Sequence, residues 1–266
     1  MSDVKPARPT TDAGLRPAFA ASRAQQLGLV VTLLVLAAVG WWWTIRQMRS
    51  MDNGPWTDLG TFGWFVGVWI VMMAAMMFPS VAPTVALYSR MSQKPLAPVV
   101  FVTGYLITWT CVGVAAFLIG VVVRAVAGDF TWEHAGRYLT GATLLLAGAY
   151  ELTPLKHVCL SKCRSPLGFL LGSWRGGWLG GLRMGLRNGA WCVGCCWALM
   201  ASLFALGIMS PIWMAAVAAL IAVEKILPWR RIATYGVTIV LFALGALVIV
   251  APDAIPALTI PMRSMR

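Results

Sequence analysis

The sequence is poor in charged residues. Only 11% of its 266 residues are Asp, Glu, Lys or Arg, whereas 59% are hydrophobic. An ordinary soluble domain is about 25% charged and about 45–50% apolar, so this composition excludes that class and indicates a membrane protein with several spans. The chain also lacks a Walker A motif and has two histidines and nine acidic residues, which leaves few groups for acid–base chemistry. We therefore expect that the protein is not an enzyme.

Seven apolar runs are long enough, or nearly long enough, to cross a bilayer as helices. The predicted fold is an all-α, polytopic transmembrane helix bundle over residues 27–251. Residues 1–26 are expected to form a disordered cytoplasmic tail and residues 252–266 a short outer tail. Pro79 and Pro83 are expected to interrupt the second helix. The apolar runs occupy about residues 27–45, 62–87, 99–123, 138–153, 188–207, 212–227 and 232–251.

Basic residues are distributed unevenly between the two sides of such a bundle. When the 21 Lys and Arg residues are assigned to alternate sides of seven spans, most of them fall on the side of the N-terminus. Cytoplasmic loops of membrane proteins carry this excess, so we predict an N-terminus inside, a C-terminus outside and a location in the cytoplasmic (inner) membrane. The net charge of +12 is then a signal of topology, and no nucleic-acid partner is expected.

Five of the six cysteines lie near the side predicted to be cytoplasmic, where thiols stay reduced. Cys192, Cys196 and Met200 recur at every fourth position, which places them on one stripe of a helix, and Cys195 lies on a neighbouring turn. The sixth cysteine, Cys111, is expected to be a small buried hydrophobic residue. The five that gather at one side are Cys159, Cys163, Cys192, Cys195 and Cys196.

Soft ligands that gather at the ends of several helices predict a metal site. Thiolate and thioether together favour Cu(I), whereas Cys with His favours Zn(II). The methionines of the second helix favour Cu(I) as the metal, with Zn(II) as the alternative, although methionine is also a common packing residue. The candidate ligands are Cys159, Cys163, Cys192, Cys195, Cys196, His157, Met72, Met73, Met76, Met77 and Met200.

Glu151 and Glu224 are the acidic residues expected within the apolar spans, where an unpaired carboxylate is costly. One interpretation pairs Glu151 with Lys156, and Glu224 with Lys225 or Arg187, as structural ion pairs. The other makes the two carboxylates supporting residues of the metal site, which orient His157 or accept the protons that thiols release when they bind metal. Both interpretations stay open at this stage.

Glycines stand four residues apart between the fourth and fifth predicted helices. Such a stripe presents a smooth ridge that lets another backbone come close. Residues 154–187 around it are rich in Cys, Gly and basic residues and are expected to form a loop at the membrane interface. The glycines of the ridge are Gly177, Gly181, Gly185 and Gly189.

Several strings of the sequence resemble a known family. They are MMAAMMFP at residues 72–79, TPLKHVCLSKCRSP at 153–166, NGAWCVGCCWALM at 188–200, and the pair Glu224 and Lys225. Together they resemble the predicted metal-binding integral membrane proteins, a domain-of-unknown-function family in which some members look like copper-handling proteins. The resemblance covers about residues 60–230. It implies metal binding by the cysteines and methionines of these strings, with Lys156 and Glu224 beside them, and it implies no reaction.

The sequence therefore predicts a multi-pass membrane protein that stores, delivers or transports a soft metal. Its expected partners are the lipid bilayer and a metal-delivery protein. One alternative is a membrane thiol-disulfide oxidoreductase that uses Cys192 with Cys195 and Cys159 with Cys163. Another alternative is a structural Zn(II) site that joins the 155–187 segment to the fifth helix in a protein of other function.

Overall fold

A computed structural model describes residues 12–48, 60–92, 94–127, 132–206, 210–227 and 229–251. Within these residues the chain forms nine α-helices and no strand, which confirms the all-α class. The helices are α1 (Asp12–Met48), α2 (Phe62–Ser92), α3 (Ala97–Ala127), α4 (Trp132–Glu151), α5 (Pro154–Arg164), α6 (Pro166–Ser173), α7 (Gly177–Leu206), α8 (Pro211–Ile226) and α9 (Arg230–Val250).

Five helices of the described part of the chain are long and apolar enough to cross a membrane. The prediction of seven spans is therefore met in part. α8 has 16 residues, or about 24 Å at 1.5 Å per residue, against a hydrocarbon core about 30 Å thick. α4 has 20 residues but includes Glu133, Arg137 and Glu151. The five candidate spans are Ala24–Gln47, Phe62–Ser92, Ala97–Val123, Gly177–Leu206 and Arg231–Val250.

α2 and α7 run in opposite directions along the centre of the bundle. Trp69 of α2 packs on Phe204 of α7, with ring centroids 5.6 Å apart. Met77, two turns later on α2, lies beside Cys192, which comes twelve residues earlier than Phe204 on α7. The contacts of α3 and α4 with these two helices continue the alternation of direction along the chain. As a result, the C-terminal ends of α4 and α8 and the N-terminal part of α3 lie level with the middle of α2 and α7, where Met77 and Cys192 meet.

The region level with the ends of α4 and α8 differs in composition from the opposite end of the bundle, and we call the two regions the sulfur end and the aromatic end. The sulfur end contains Met77, Cys163, Cys192, Cys195 and Cys196. The aromatic end contains Phe65, Trp69, Trp109, Phe117 and Phe204.

Two segments that the sequence predicts as irregular are helical. Residues 12–26, predicted as a disordered tail, belong to α1, and residues 1–11 and 252–266 lie outside the described residues. The predicted interfacial loop 154–187 consists of α5, α6 and the first turns of α7. Thr153 caps α5 by accepting a hydrogen bond from the backbone N–H of Lys156, and Pro154 and Pro166 begin α5 and α6. A proline at the start of a helix removes no internal hydrogen bond, so these residues define where each helix begins.

The second helix also differs from its prediction. α2 continues from Phe62 to Ser92 through both Pro79 and Pro83. Each proline leaves the carbonyl four residues before it without its helical donor, but α2 is packed against α1, α3, α6 and α8, which hold it in shape. The expected interruption does not occur.

The contact between α3 and α7 confirms the predicted glycine ridge. A Cβ atom added at Gly185 would collide with the carbonyl oxygen of Phe101, and one added at Gly189 would lie 2.8 Å from the side chain of Thr108. Gly177, at the exposed start of α7, has no such neighbour. Because only glycine leaves room for backbones this close, the ridge determines how near α3 lies to α7.

Candidate metal centre

Three cysteines of α7 form a compact group of thiols. Cys192, Cys195 and Cys196 are buried, and their Sγ atoms all lie within 4.8 Å of one another. The Sγ atom of Cys196 is 3.8 Å from that of Cys192 and 3.7 Å from that of Cys195. Residues three and four apart share one face of a helix, so the C-x-x-C-C spacing by itself brings these sulfur atoms together.

The thiols of this group converge on one backbone carbonyl. Cys195 and Cys196 both donate to the carbonyl oxygen of Cys192, with S···O distances of 3.1 and 2.7 Å. Side chains in a helix point back toward its N-terminus, which directs both sulfur atoms to the turn that carries Cys192. The cysteines of the described chain are free thiols, so these three sulfur atoms are available as ligands.

Two further sulfur atoms join the group from other helices. The Sδ atom of Met77 on α2 lies 3.9 Å from the Sγ atom of Cys192, and the Sγ atom of Cys163 on α5 lies 3.7 Å from that of Cys195. Met77 is fully buried, whereas Cys163 is half-buried. We call these five residues, Met77, Cys163, Cys192, Cys195 and Cys196, the sulfur cluster.

The glycine of the C-V-G-C-C string makes room for α5. A Cβ atom added at Gly194 would lie 2.6 Å from the Sγ atom of Cys159, which is buried between α5 and α7. The hydroxyl of Tyr150 donates to the carbonyl oxygen of Gly194 at 2.6 Å, so α4 is attached to the same turn. Burial raises the pKa of the Cys159 thiol, which keeps it protonated and neutral beside the cluster.

Two polar side chains that the sequence analysis did not assign to the site contact the cluster. The hydroxyl of Tyr105 lies 3.0 Å from the Sγ atom of Cys192, and the ammonium of Lys225 lies 3.2 Å from the same sulfur atom. Lys225 also donates to the hydroxyl of Ser80 at 3.1 Å. One feature of the sequence could have indicated the position of Lys225. Glu224 and Lys225 are adjacent, and adjacent residues of a helix point about 100° apart, so their side chains must face different partners.

A buried ion cluster lies next to the sulfur cluster. Lys156 on α5 is fully buried and donates to both carboxylate oxygens of Glu224 on α8, at 2.8 and 2.7 Å. It also forms an ion pair with Glu151 on α4. Burial lowers the pKa of Lys156, and the carboxylate of Glu224 opposes that effect by favouring the charged ammonium. Three helices are therefore joined by one ammonium and two carboxylates.

The ion pairs correct the expectation that paired Glu224 with Lys225 or Arg187. Glu224 binds Lys156 instead, and Lys225 contacts Cys192. The expected pair of Glu151 and Lys156 is present. The sequence could not distinguish these partners because the choice depends on how α5 packs against α8, which lie about 60 residues apart in the chain.

The remaining candidate ligands lie outside the cluster. His157 is exposed on α5. Met72, Met73, Met76 and Met200 are buried in the core, and within the described residues none of them has a recorded hydrogen bond with a thiol. Cys111, expected to be buried, is exposed on α3, which has much of its surface toward the outside of the bundle. The structure thus separates Met77, which contacts a thiol, from methionines that pack.

A comparison with protein families places this arrangement in context. The chain matches the family model described as PpoB2, copper chaperone, over residues 66–248. No curated protein and no solved structure matches the chain. The family match covers more than half of the chain and includes the whole sulfur cluster, the buried ion cluster and Lys225. The chain therefore belongs to this copper chaperone family.

Proposed function

We propose that this member of the copper chaperone family binds Cu(I) inside a membrane helix bundle and hands it on to other proteins. The observation that carries the proposal is the buried group of Cys192, Cys195 and Cys196, with the thioether of Met77 3.9 Å from Cys192. Three thiols and one thioether form a soft donor set, which suits Cu(I) better than hard or borderline cations. The ion is cargo, so binding and release are the whole of the activity, and we propose no catalysed reaction.

The surroundings of the cluster suit a bound cation with several thiolates. Two or three thiolates around one Cu(I) ion carry a net negative charge, which is costly in a buried site unless a positive group lies nearby. The ammonium of Lys225, 3.2 Å from Cys192, supplies that charge, and the hydroxyl of Tyr105 supplies a hydrogen-bond donor to the same sulfur atom. We assign these two residues to support of the metal ligands.

The proposed membrane arrangement has seven spans, with the sulfur end on the cytoplasmic side. The alternating directions of the helices support spans by α4 and α8 in addition to the five apolar helices, since each connects neighbours that already cross. Exposed basic residues concentrate at the sulfur end, as the positive-inside rule expects for a cytoplasmic face. Among them are Arg90, Lys94, Lys162, Arg175, Arg183 and Arg187.

The test is the metal content of the full chain, purified without oxygen and measured by element-resolved mass spectrometry. We expect about one copper ion per chain in the wild type, as a single three-thiol site predicts, and less than about a tenth of that in Cys192→Ser/Cys195→Ser. Cys111→Ser is the matched control, because this thiol is exposed on α3, away from the cluster. Equal copper in the wild type and the double variant would contradict the proposal.

A structural zinc site is the second candidate function, and the short distance between Cys163 and Cys195 favours it. Cys163 lies 3.7 Å from Cys195, which brings a fourth thiol to the group, and four thiolates form a common structural zinc site. Stoichiometric zinc in the wild type, with unfolding of α5 after chelation, would support this second function and contradict the copper proposal.

A further inference from the structure

The sulfur atoms of the cluster form a continuous series from the rim of the bundle to its interior. Starting at Cys163, consecutive S···S distances are 3.7 Å to Cys195, 3.7 Å to Cys196, 3.8 Å to Cys192 and 3.9 Å to Met77. A metal–thiolate bond is about 2.3 Å long, so two sulfur atoms less than about 4.6 Å apart can hold one ion between them. Every step of the series meets this condition.

Exposure changes along the same series. Cys192, Cys195, Cys196 and Met77 each have 2% or less of their surface exposed, whereas Cys163 is half-buried. A donor protein cannot reach the four buried sulfur atoms without opening the packing of α2, α5 and α7 around them. Cys163 is therefore the member of the series that an outside thiol can approach.

Both ends of α5 are attached to α8, which holds Cys163 in place. Near the start of α5, Lys156 binds the carboxylate of Glu224, and at its end Arg164 donates to the carbonyl oxygen of Glu224 at 2.9 Å and to that of Leu227. α5 is also outside the five candidate membrane spans. Cys163 thus lies on a fixed helix at the end of the bundle, within reach of both an outside partner and Cys195.

We propose that Cys163 is the exchange thiol of this protein, through which Cu(I) passes between an outside cysteine-bearing carrier and the buried thiols. This inference rests on the copper function proposed above and adds the route and the chemical class of the partner. The partner is a Cu(I) carrier that presents thiolates, because a thiolate is the ligand that a thiol can replace without a change in the donor type.

The transfer is a ligand exchange in which copper remains Cu(I) throughout. The Cys163 thiol loses its proton as its sulfur atom forms a bond to the copper of the carrier, and one carrier sulfur–copper bond breaks and that thiolate takes up a proton. The Cys195 thiol, 3.7 Å from Cys163, then loses its proton and binds the ion through its sulfur atom, as the last carrier sulfur–copper bond breaks and that carrier thiolate takes up a proton. No oxidant or reductant is consumed, and release follows the same steps in reverse.

The experiment measures copper uptake from the Cu(I)–glutathione complex by the full chain in lipid nanodiscs without oxygen. We expect Cys163→Ser to take up copper at least about tenfold more slowly than the wild type, because the remaining cluster thiols are buried, while its copper content at equilibrium falls less than about twofold. Cys111→Ser is expected to match the wild type in both measurements. An unchanged rate in Cys163→Ser would overturn the proposal.

The equilibrium measurement separates the other outcomes. If Cys163→Ser loses its copper at equilibrium, Cys163 is a permanent ligand and the exchange role is wrong. If the wild type itself holds no copper at equilibrium, the proposed copper function fails, and this result is distinct from a change in rate.

Discussion

The two ends of the bundle share α2 and α7 and are both largely buried, but they contain different chemistry. At the aromatic end, Phe65 stacks on Trp69 at 5.8 Å and contacts Phe117 at 5.3 Å, and the indole N–H of Trp69 donates to the carbonyl oxygen of Trp109 at 2.8 Å. At the sulfur end, two turns further along α2, the core consists of thiols, a thioether and buried charges.

This difference shows that burial by itself does not identify a functional site. Rings at the aromatic end fill space and position α2, α3 and α7 against one another. Thiols fill space less well and are reactive, and buried charges destabilise a fold unless they are paired. Their concentration at one end fits the proposed copper site, whereas the rings of the aromatic end need no explanation beyond packing.

The largest effect is expected from a cavity at the aromatic end. Trp109 is fully buried, and Trp109→Ala should lower the free energy of unfolding by about 3–5 kcal/mol. Because Trp109 lies beside Trp69, one turn beyond Tyr105 along α3, and contacts no thiol through a hydrogen bond, copper bound per folded chain should stay at the wild-type value. Thermal unfolding in nanodiscs and copper content of the folded fraction measure the two quantities, with the exposed Trp229→Ala as control. If folded Trp109→Ala also lost copper, the aromatic end would contribute to metal binding and the proposed difference between the two ends would be wrong.

A loss of similar size is expected when the buried ammonium at the sulfur end is removed. Lys156→Met leaves Glu151 and Glu224 without their shared cation, and breaking a buried ion pair costs about 3–5 kcal/mol of stability. Lys162→Met is the matched control, since Lys162 is exposed on the same helix. Chemical denaturation followed by circular dichroism measures the cost. Recovery of stability in Lys156→Met/Glu151→Gln/Glu224→Gln would establish that the unpaired carboxylates cause the loss, and no recovery would point to lost packing.

A smaller effect is expected at the glycine ridge that positions the sulfur end. Gly185→Ala introduces a Cβ atom against the carbonyl oxygen of Phe101, and overpacking of this kind costs about 1–3 kcal/mol. The separation of α3 from α7 should also move Tyr105 away from Cys192 and weaken copper binding. Gly172→Ala, which has open space around the added atom, is the control. Equal melting temperatures for the two variants would contradict the close approach of α3 and α7.

The smallest effect on stability, and the sharpest test of the site, is expected at Met77. Met77→Leu conserves volume and should cost less than about 1.5 kcal/mol, yet it removes the thioether 3.9 Å from Cys192. We expect copper affinity to fall about tenfold, the size of effect that follows loss of one supporting contact at a metal site. Met73→Leu, equally buried one turn earlier, should leave the affinity unchanged. Competition with a Cu(I) chelator measures both, and equal affinities would assign Met77 to packing.

Much of the fold follows from local patterns in the chain. The apolar runs locate most ends of the five candidate spans to within about five residues, because a bilayer-spanning helix needs a long uninterrupted stretch. The start of α7 differs, since Gly177–Arg187 is too rich in glycine and arginine to be recognised as a continuation of an apolar helix. α5 and α6 were missed for a related reason, as short helices in a polar segment leave no long periodic signal.

The candidate site was predictable where its residues are close in sequence. The convergence of Cys192, Cys195 and Cys196 is a property of helical spacing and holds in any α-helix. The choice of Met77 over its neighbours Met72, Met73 and Met76 was not predictable, because all four lie on a helix that is buried nearly all round. The same limit applies to Lys225, whose direction depends on the rotation of α8 about its axis.

The sequence by itself determined the all-α class, the apolar helices, the glycine ridge of α7 and the triplet of thiols, because each depends on residues a few positions apart. Only the tertiary structure decided which methionine meets a thiol, which lysine pairs with the two buried carboxylates and which cysteine lies at the rim of the cluster. Those relations join helices that are distant in the chain, and they are determined by packing, where a shift of a few ångströms or a small rotation of a helix exchanges one neighbour for another.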